Sequence, residues 1–376
     1  MENNKLMKKI AFLSVFHPYR GGIAQSSGSL YFALQEKANV EAINFKRQYP
    51  DILFPGKSQF VPESDDREAI DGVRILDSIN PLNWLNTAKY INNLNPDVVL
   101  TRYWIPFLAP ALGTVLKKTK KNAINISIVD NAIPHEKRIG DDALTNYYLK
   151  QNHKFIALSK SVERDLYTLL DSPEVHYHPH PVYDRFPDPI DKSKAREKLG
   201  INADEKIILF FGFIRDYKGL DILLHSMNDV DNDVKLLITG DVYGSYDKYE
   251  KIIKDNNLSD RIISKIDYIP DEDVALYFSA TDLCVQPYRT ATQSGIANIS
   301  THYNIPIIAT DVGGLKEVIE PFNIGKVVEK ADPKEIAEKI NAFFREEKDY
   351  SENFKSYKEF ASWEKLSDVI LEAIEK

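Results

Sequence analysis

The stretch Ile207–Leu224, IILFFGFIRDYKGLDILL, decides the fold of this chain. An apolar run ends at Gly212, a short loop carries Arg215 and Lys218, and Gly219 opens an amphipathic segment. This order predicts a strand, a loop and the start of a helix, the arrangement in which backbone N–H groups can meet a phosphate. Arg supplies a planar fork of donors and Lys a compact charge, which together suit a diphosphate. A plain solvated loop explains the same stretch, so these residues alone leave both readings open.

The same alternation of strand-like and helix-like segments continues in both directions. It predicts an α/β fold with two doubly wound, Rossmann-like domains built on parallel sheets. A proline-rich stretch, Tyr177–Pro189, can continue neither a helix nor a central strand, so we expect a hinge there. The strands are predicted at Lys9–Phe16, Val40–Phe45, Val98–Tyr103, Ile124–Val129 and Lys154–Ala157, and after the hinge at Lys206–Phe211, Val234–Thr239, Ile262–Ile266, Leu283–Gln286, Pro306–Thr310 and Gly325–Val328.

Composition narrows the class of protein. The 376 residues suit two domains, and the 43% of apolar residues can form large cores. A net charge of −8 argues against general nucleic-acid binding, so anion sites must come from local basic loops. The single cysteine, Cys284, lies in an apolar run and is expected to be a buried thiol.

Two apolar segments raise the question of a membrane. Ile10–Phe16 is short and lacks a small-residue cleavage site, so a first strand explains it better than a signal peptide. Tyr103–Leu116 contains two prolines and precedes LysLysThrLysLys. We favour a buried helix with a basic end, while a patch resting on an anionic membrane stays open. We therefore expect a cytoplasmic protein, with peripheral membrane contact as an alternative.

Two loops in the first half carry candidate ligand contacts. Gly21 and Gly22 follow the first strand, and their lack of side chains permits close backbone approach to a phosphate or a sugar hydroxyl. The loop Ile128–Arg138 is dense in ionisable groups, and its His135 could donate to a substrate oxygen or shuttle a proton. The glycine pair could instead form only a tight turn, and the loop Ile128–Arg138 could be an ordinary surface loop without a ligand.

His178 and His180 stand two residues apart, which suggests a metal. No neighbouring His, Cys or acidic residue completes a familiar ligand spacing, so we expect no metal. We expect these imidazoles to line the cleft between the domains or to hydrogen-bond the hinge.

Two loops in the second half complete the set. The first holds Arg289, Gln293, Ser294 and Gly295, and Ser294 is expected to cap a helix whose free amides face an anion. The other, Thr310–Ile319, carries Glu317, which could accept from a hydroxyl-rich ligand or favour the helix N-terminus electrostatically.

Four blocks, in their order and spacing, resemble the GT-B glycosyltransferases of retaining family 4, often called the glycosyltransferase group 1 family. They are Gly212–Gly219, Leu237–Asp241, Tyr268–Asp282 and Pro306–Ile319. The resemblance covers most of the chain and is strongest from Ile207 to about Val328. N-terminally, the glycine pair and its position match with lower specificity.

The resemblance implies specific roles for the candidate residues. Arg215 and Lys218 would hold the diphosphate of a nucleotide-sugar, with Gly212, Arg289, Gln293, Ser294, Gly295 and Glu317 completing the donor site. Gly21 and Gly22 would approach the same diphosphate, and His135 would lie near the transferred sugar. Cations and a helix dipole would neutralise the leaving diphosphate, so neither a metal nor a separate cofactor is expected. Configuration at the anomeric carbon would be retained.

The domains expected on this basis are residues 1–180 on the acceptor side, 181–355 on the nucleotide-sugar side, and a terminal helix at 356–376. That helix, around Trp363, would pack back on the first domain.

One departure from the family pattern concerns two glutamates eight positions apart that contact sugar hydroxyls and ribose. The matching positions here are Ala291 and Ile299, and no Asp or Glu occurs between Asp282 and Asp311. Gln293, Ser294, Asn298 or backbone amides are the candidates to replace those contacts.

The sequence thus predicts an enzyme that transfers a sugar from a nucleoside-diphosphate-sugar to a saccharide or lipid-linked acceptor in surface-glycan synthesis. Two alternatives stay open, the first because of the missing glutamates and the second because the fold alone does not separate these activities. One is a non-catalytic nucleotide-sugar-binding partner protein, and the other is an epimerase or phosphorylase of the same fold.

Overall fold

The computed structural model describes residues 7–50, 59–61, 70–120, 122–133, 138–183, 186–242, 244–291, 294–346 and 348–375. The chain divides into two compact units. Unit 1 comprises Met1–His180 together with Ala361–Lys376, and unit 2 comprises Pro181–Phe360.

The described residues of unit 1 form a seven-stranded, fully parallel sheet in the order β3-β2-β1-β4-β5-β6-β7. The order reverses between β1 and β4, which creates a switch point where ligands bind in such sheets. The strands are β1 Lys9–Leu13, β2 Asn39–Arg47, β3 Gly72–Asp77, β4 Val98–Tyr103, β5 Ile124–Val129, β6 Lys154–Ala157 and β7 Glu174–Tyr177.

Helices cover both faces of this sheet. Its described helices are α1 Gly22–Gln35, α2 Pro81–Leu94, α3 Ala109–Lys117, α4 Asp141–Leu149 and α5 Lys160–Leu169, with α14 Trp363–Glu375 from the chain terminus. The α14 helix packs beside α1, where Leu366 and Ile370 join Leu30 and Leu34 in one buried cluster. Apolar residues of α2, α3 and α4 form the cluster on the opposite face.

The described residues of unit 2 form a six-stranded parallel sheet in the order β10-β9-β8-β11-β12-β13, with the switch point between β8 and β11. The strands are β8 Lys206–Phe211, β9 Val234–Thr239, β10 Ile262–Lys265, β11 Leu283–Gln286, β12 Ile307–Thr310 and β13 Gly325–Val328. The helices are α6 Lys192–Leu199, α7 Leu220–Ser226, α8 Asp247–Asp255, α9 Val274–Ser279, α10 Gly295–His302, α11 Leu315–Ile319, α12 Pro333–Arg345 and α13 Ser351–Phe360.

The predicted fold class is confirmed, including the return of the terminal helix to the first unit. Most buried strands also lie where their apolar runs predict them. Two strands that the sequence did not reveal, β3 and β7, are edge strands whose residues are largely or partly exposed. An edge strand that is half in solvent has no continuous apolar run, so the pattern gives little signal.

The structure also places the apolar segments and the single cysteine. Among the described residues, no helix combines the length and apolar character that a bilayer crossing requires. The apolar residues of α3, such as Leu112 and Val115, are fully buried, which confirms the buried helix with a basic end. Cys284 is also fully buried, and burial raises the pKa of its thiol to about 12.

Candidate functional site

Three glycines shape the loop after β8 in unit 2. Gly212, Gly219 and Gly240 all have positive φ, of 93°, 69° and 138°. A Cβ on Gly219 would overlap the carbonyl oxygen of Pro287, and one on Gly240 would overlap that of Gly212. The loops after β8, β9 and β11 therefore pack backbone against backbone at the switch point, which only glycine allows.

Lys218 lies in the middle of this frame. Its side chain ends beneath Gly212, so that a Cβ there would come 3.2 Å from the Lys218 Nζ atom. The residue is 9% exposed, and the ammonium lies 5.9 Å from the centre of the Tyr288 ring. Burial, together with the nearby charge of Arg215, lowers the pKa of Lys218 to about 8. The fold thus holds a poorly solvated cation at the carboxyl end of β8, where an anionic ligand would relieve the cost.

Arg289, in the loop after β11, ties that loop to the one after β8. Its guanidinium donates to both carboxylate oxygens of Asp221, at 3.0 and 2.6 Å, and to the carbonyl oxygen of Asp216 at 2.6 Å. Its backbone N–H donates to the carbonyl oxygen of Tyr217 at 2.7 Å. Arg289 therefore holds the loop after β11 against the loop that carries Lys218. A direct role of Arg289 in ligand binding stays a prediction.

Ser294 caps α10, as the sequence predicts. Its hydroxyl oxygen accepts from the Ala297 N–H at 3.2 Å and donates to the side-chain oxygen of Gln286 at 2.7 Å. The hydroxyl is therefore already engaged, while Gly295 is exposed at the first turn of the helix. The Ile296 side chain would contact a Cβ on Gly212 at 3.1 Å, which places the start of α10 over the Lys218 loop.

The two positions that lack the family's glutamates have apolar surroundings. Ile299 is buried in a cluster with Phe278 and Tyr303, and Ala291 packs against the cluster around Tyr288. Asn298 is 7% exposed, and its side-chain amide forms no hydrogen bond with the described residues. Of the proposed replacements, Asn298 therefore keeps its hydrogen-bonding capacity available, whereas Ser294 does not.

Glu317, the other acidic candidate, is partly exposed in the short helix α11, after the carboxyl end of β12. Gln293 and His135 lie outside the described residues. The roles assigned to these three residues stay predictions.

In unit 1, the glycine pair opens α1 at the switch point of the sheet. Gly21 is the N-cap, with φ of 113°, and no side chain caps the helix. Among the described residues, a Cβ on Gly21 would meet nothing within 4 Å. A contact of Gly21 and Gly22 with a ligand stays a prediction.

Arg102 is a residue that sequence reasoning missed. It is 1% exposed near the end of β4, and its guanidinium donates to both carboxylate oxygens of Asp130 at 2.7 and 2.6 Å. A third bond at 2.6 Å reaches the Ser26 hydroxyl oxygen in α1. A buried Arg–carboxylate pair of this geometry orders the loops that follow β1 and β5. The only signal in the sequence was an arginine inside an otherwise apolar strand.

The two histidines of the predicted hinge have structural partners within unit 1. The His178 ring nitrogen Nδ1 lies 2.6 Å from the carbonyl oxygen of Pro179, and His180 packs edge-on to Trp363 at 5.7 Å. The described residues contain no group of three or more His, Cys, Asp or Glu side chains placed to hold a metal ion.

An open cavity of about 570 Å³ lies elsewhere in unit 2, at the amino ends of β11 and β12. Its lining includes Lys192, Phe343 and Phe344. Ligands of parallel sheets bind at the carboxyl ends of the strands, so this cavity is separate from the Lys218 site.

Two doubly wound parallel units of this topology are the architecture of the GT-B fold class, to which many glycosyltransferases belong. Residues 191–359 match the family described as "Glycosyl transferases group 1". The chain is also 32% identical to the uncharacterized glycosyltransferase MJ1178 of Methanocaldococcus jannaschii, over 96% of both chains. The chain belongs to the glycosyltransferase group 1 family, and it is an enzyme that transfers glycosyl groups.

More distant relatives agree with this assignment. The chain is 23% identical to the D-inositol 3-phosphate glycosyltransferase of Xylanimonas cellulosilytica, over 67% of this chain and 64% of that one. Among solved structures, Anabaena HepE in complex with UDP aligns with a TM-score of 0.72 and 15% identity, over 98% of this chain and all of that one. The lipopolysaccharide outer core galactosyltransferase WaaB aligns with a TM-score of 0.72 and 14% identity, over 97% and 99% of the two chains. The two structural matches support the fold alone.

Proposed function

We propose that this enzyme transfers a sugar from a nucleoside-diphosphate-sugar, with retention of configuration and without a metal. The acceptor is the hydroxyl of a saccharide or of a lipid-linked acceptor in surface-glycan synthesis. The observation that carries the proposal is Lys218, a cation held nearly out of water at the switch point of unit 2. A relative named as a lipopolysaccharide core biosynthesis mannosyltransferase, 29% identical over 36% of this chain, supports the acceptor class.

The chemistry follows from where charge develops in this reaction. As the bond between the sugar and the diphosphate breaks, negative charge accumulates on the leaving phosphate oxygen. Lys218 and Arg215 would stabilise that oxygen, and a preformed cation in a poorly solvated loop is effective because it needs no reorganisation. In this proposal the two cations do the work that a divalent metal does in other transferases.

Recognition of the sugar and ribose differs from the family pattern in this proposal. The positions of the usual glutamates are Ala291 and Ile299, so carboxylate contacts cannot come from them. We assign part of that recognition to the Asn298 amide and the exposed backbone at Gly295, with Glu317 and Gln293 as further candidates. A cytoplasmic location is part of the same proposal, in line with a single cysteine that is fully buried.

The double variant Arg215→Ala/Lys218→Ala tests the proposal. Wild-type protein should show a raised melting temperature with one of UDP, GDP, ADP or dTDP, since a ligand selective for the folded state stabilises it. The double variant should lose that shift and all transfer from the matching nucleotide-sugar. In the wild type, transfer should be the same with and without EDTA, because the proposed reaction needs no metal.

A matched control is Arg345→Ala/Lys254→Ala, which removes one exposed Arg and one exposed Lys from unit 2. It should keep both the thermal shift and the transfer activity. Unchanged donor turnover in the Arg215→Ala/Lys218→Ala variant would exclude the proposed role of the two cations.

A further inference from the structure

The solvent side of α2 in unit 1 exposes large apolar side chains. Leu82 is 74% exposed and Leu85 is 45% exposed, and Ile79, just before the helix, is 44% exposed. Leu82 and Leu85 are three positions apart and therefore lie on the same face. The apolar side chains that α2 contributes to the core, such as Ile91, lie on its other face.

Exposed lysines follow the leucines along the same side of α2, towards its C-terminal end. Lys89 is exposed, seven positions after Leu82 and four after Leu85, so it lies on the same side of α2. The neighbouring helix α3 ends in Lys117, and Lys118 and Lys120 follow it, all of them exposed.

Asn92 joins the two helices at this end. Its side chain donates to the carbonyl oxygen of Lys118 at 2.9 Å and accepts from the Lys120 N–H at 2.8 Å. The three lysines of the α3 end are therefore held beside the C-terminal end of α2. We call the surface formed by Ile79, Leu82, Leu85, Lys89, Lys117, Lys118 and Lys120 the α2–α3 face.

The α2–α3 face is basic in a chain whose net charge is −8. Neither α2 nor Ala109–Lys120 contains an Asp or a Glu. The ammonium groups of its four lysines form no ion pair with the described residues, whereas Lys154, Lys206 and Lys235, on β6, β8 and β9, each pair with a carboxylate. The carboxylate between the helices, Asp97, accepts from the backbone N–H of Lys9 at 2.8 Å.

We propose that the α2–α3 face docks on a membrane surface rich in anionic lipid. Exposed leucines at one end of α2 would enter the boundary between headgroups and acyl chains, as interfacial amphipathic helices do. The lysines would lie among the anionic headgroups, which attract clustered basic side chains near the surface. The sequence suggested a membrane patch on Tyr103–Leu116, but most of those apolar residues are buried or partly buried. Ile105 is 36% exposed, and the more exposed leucines lie on α2.

Charge complementarity favours a lipid surface over a protein partner. A lysine cluster without ion pairs beside exposed leucines matches an anionic lipid surface, whereas protein interfaces are depleted in lysine. This inference is independent of the proposed donor chemistry, because the α2–α3 face belongs to unit 1 and the Lys218 site to unit 2.

Co-sedimentation of the full-length protein with vesicles tests the proposal. At 0.1 M salt the wild type should bind vesicles of phosphatidylcholine with 30% phosphatidylglycerol. Its binding to vesicles of pure phosphatidylcholine should be at least tenfold weaker. Binding should fall as salt is raised, because salt screens the lysine charges. The variants Leu82→Gln/Leu85→Gln and Lys117→Gln/Lys118→Gln/Lys120→Gln should each lose at least fivefold in binding.

Two control variants match the apolar and the basic changes. Tyr268→Gln alters an exposed aromatic side chain of unit 2, and Lys251→Gln/Lys254→Gln/Lys334→Gln removes three exposed charges there. Both controls should bind like the wild type. A wild type that leaves the vesicles in solution, or that binds both vesicle types equally, overturns the proposal. An equal loss of binding in the control variants would also overturn the proposal. Thermal melts verify that every variant is folded.

Discussion

At the scale of single residues, Lys218 carries a conflict between stability and function. Its pKa is lower in the folded protein, about 8, than the ordinary value of 10.5, because burial penalises the charged form. Below pH 8 the folded state therefore holds the charge at a cost, and stability rises with pH between 8 and 10.5 as the proton leaves. A residue that is costly to the fold at neutral pH is typical of a functional site.

The variant Lys218→Met should accordingly stabilise unit 2 at pH 7 by about 2 kcal/mol, because it fills similar volume without a buried charge. The gain should shrink towards pH 10, where the wild-type amine is largely neutral. Urea unfolding at both pH values measures the difference. A variant less stable than the wild type at pH 7 would contradict the cause assigned to the pKa shift.

The same group predicts a pH dependence of nucleotide binding. Above pH 7.5 a terminal phosphate is already ionised, so changes in affinity there report on the protein. A bound diphosphate favours charged Lys218, and the affinity for UDP should fall up to tenfold between pH 8 and pH 9. Calorimetry in buffers of different ionisation enthalpy should show proton uptake on binding. The Lys218→Met variant should bind weakly with no such trend, and a flat wild-type profile would contradict the prediction.

At the scale of elements, the site depends on loops that pack backbone against backbone. Gly219 has φ of 69° and lies against the carbonyl oxygen of Pro287, so two loops meet where no side chain fits. The variant Gly219→Ala should lower the stability of unit 2 by more than about 2 kcal/mol, since it adds both overlap and backbone strain.

Thermal unfolding and UDP binding together measure this effect. The control is Gly200→Ala, at a residue that also has positive φ, of 68°, but whose Cβ would meet nothing within 4 Å. It isolates the cost of backbone strain, about 1 kcal/mol. Equal losses in the two variants would show that the contact with Pro287 contributes nothing.

At the scale of the whole molecule, each unit has its own core. The terminal helix belongs to the first, where Ile370 is fully buried and Lys37 donates to the carboxylate of Asp368 at 2.6 Å. The variant Ile370→Ala should destabilise unit 1 by about 2–4 kcal/mol, because it leaves a cavity in a packed core.

The matched variant in unit 2 is Ile340→Ala, also fully buried. Calorimetry with and without UDP separates the two units, since the nucleotide should raise only the transition of the unit that binds it. We expect Ile340→Ala to lower the UDP-sensitive transition and Ile370→Ala to lower the other. The reverse pattern would place nucleotide binding in unit 1.

The features of the fold that the sequence predicted are those set by interactions between residues close together in the chain. The apolar run Lys206–Phe211 determines a buried strand, and Ser294 before a helix determines a cap, because both effects act between near neighbours. The half-exposed edge strands, β3 and β7, carry no such pattern and were missed.

The same distinction separates the features of the candidate site that the sequence predicted from those that it did not. The sequence by itself determined the α/β class, the cation loop at Arg215 and Lys218, and the absence of the two glutamates, since these are patterns of residue type and spacing. Only the tertiary structure decided that Lys218 is buried, that Arg289 pairs with Asp221, and that Arg102 joins Asp130 to α1. Burial, ion pairs and side-chain hydrogen bonds depend on residues far apart in the chain, such as Ser26 and Arg102, which are 76 positions apart and which the fold brings into contact.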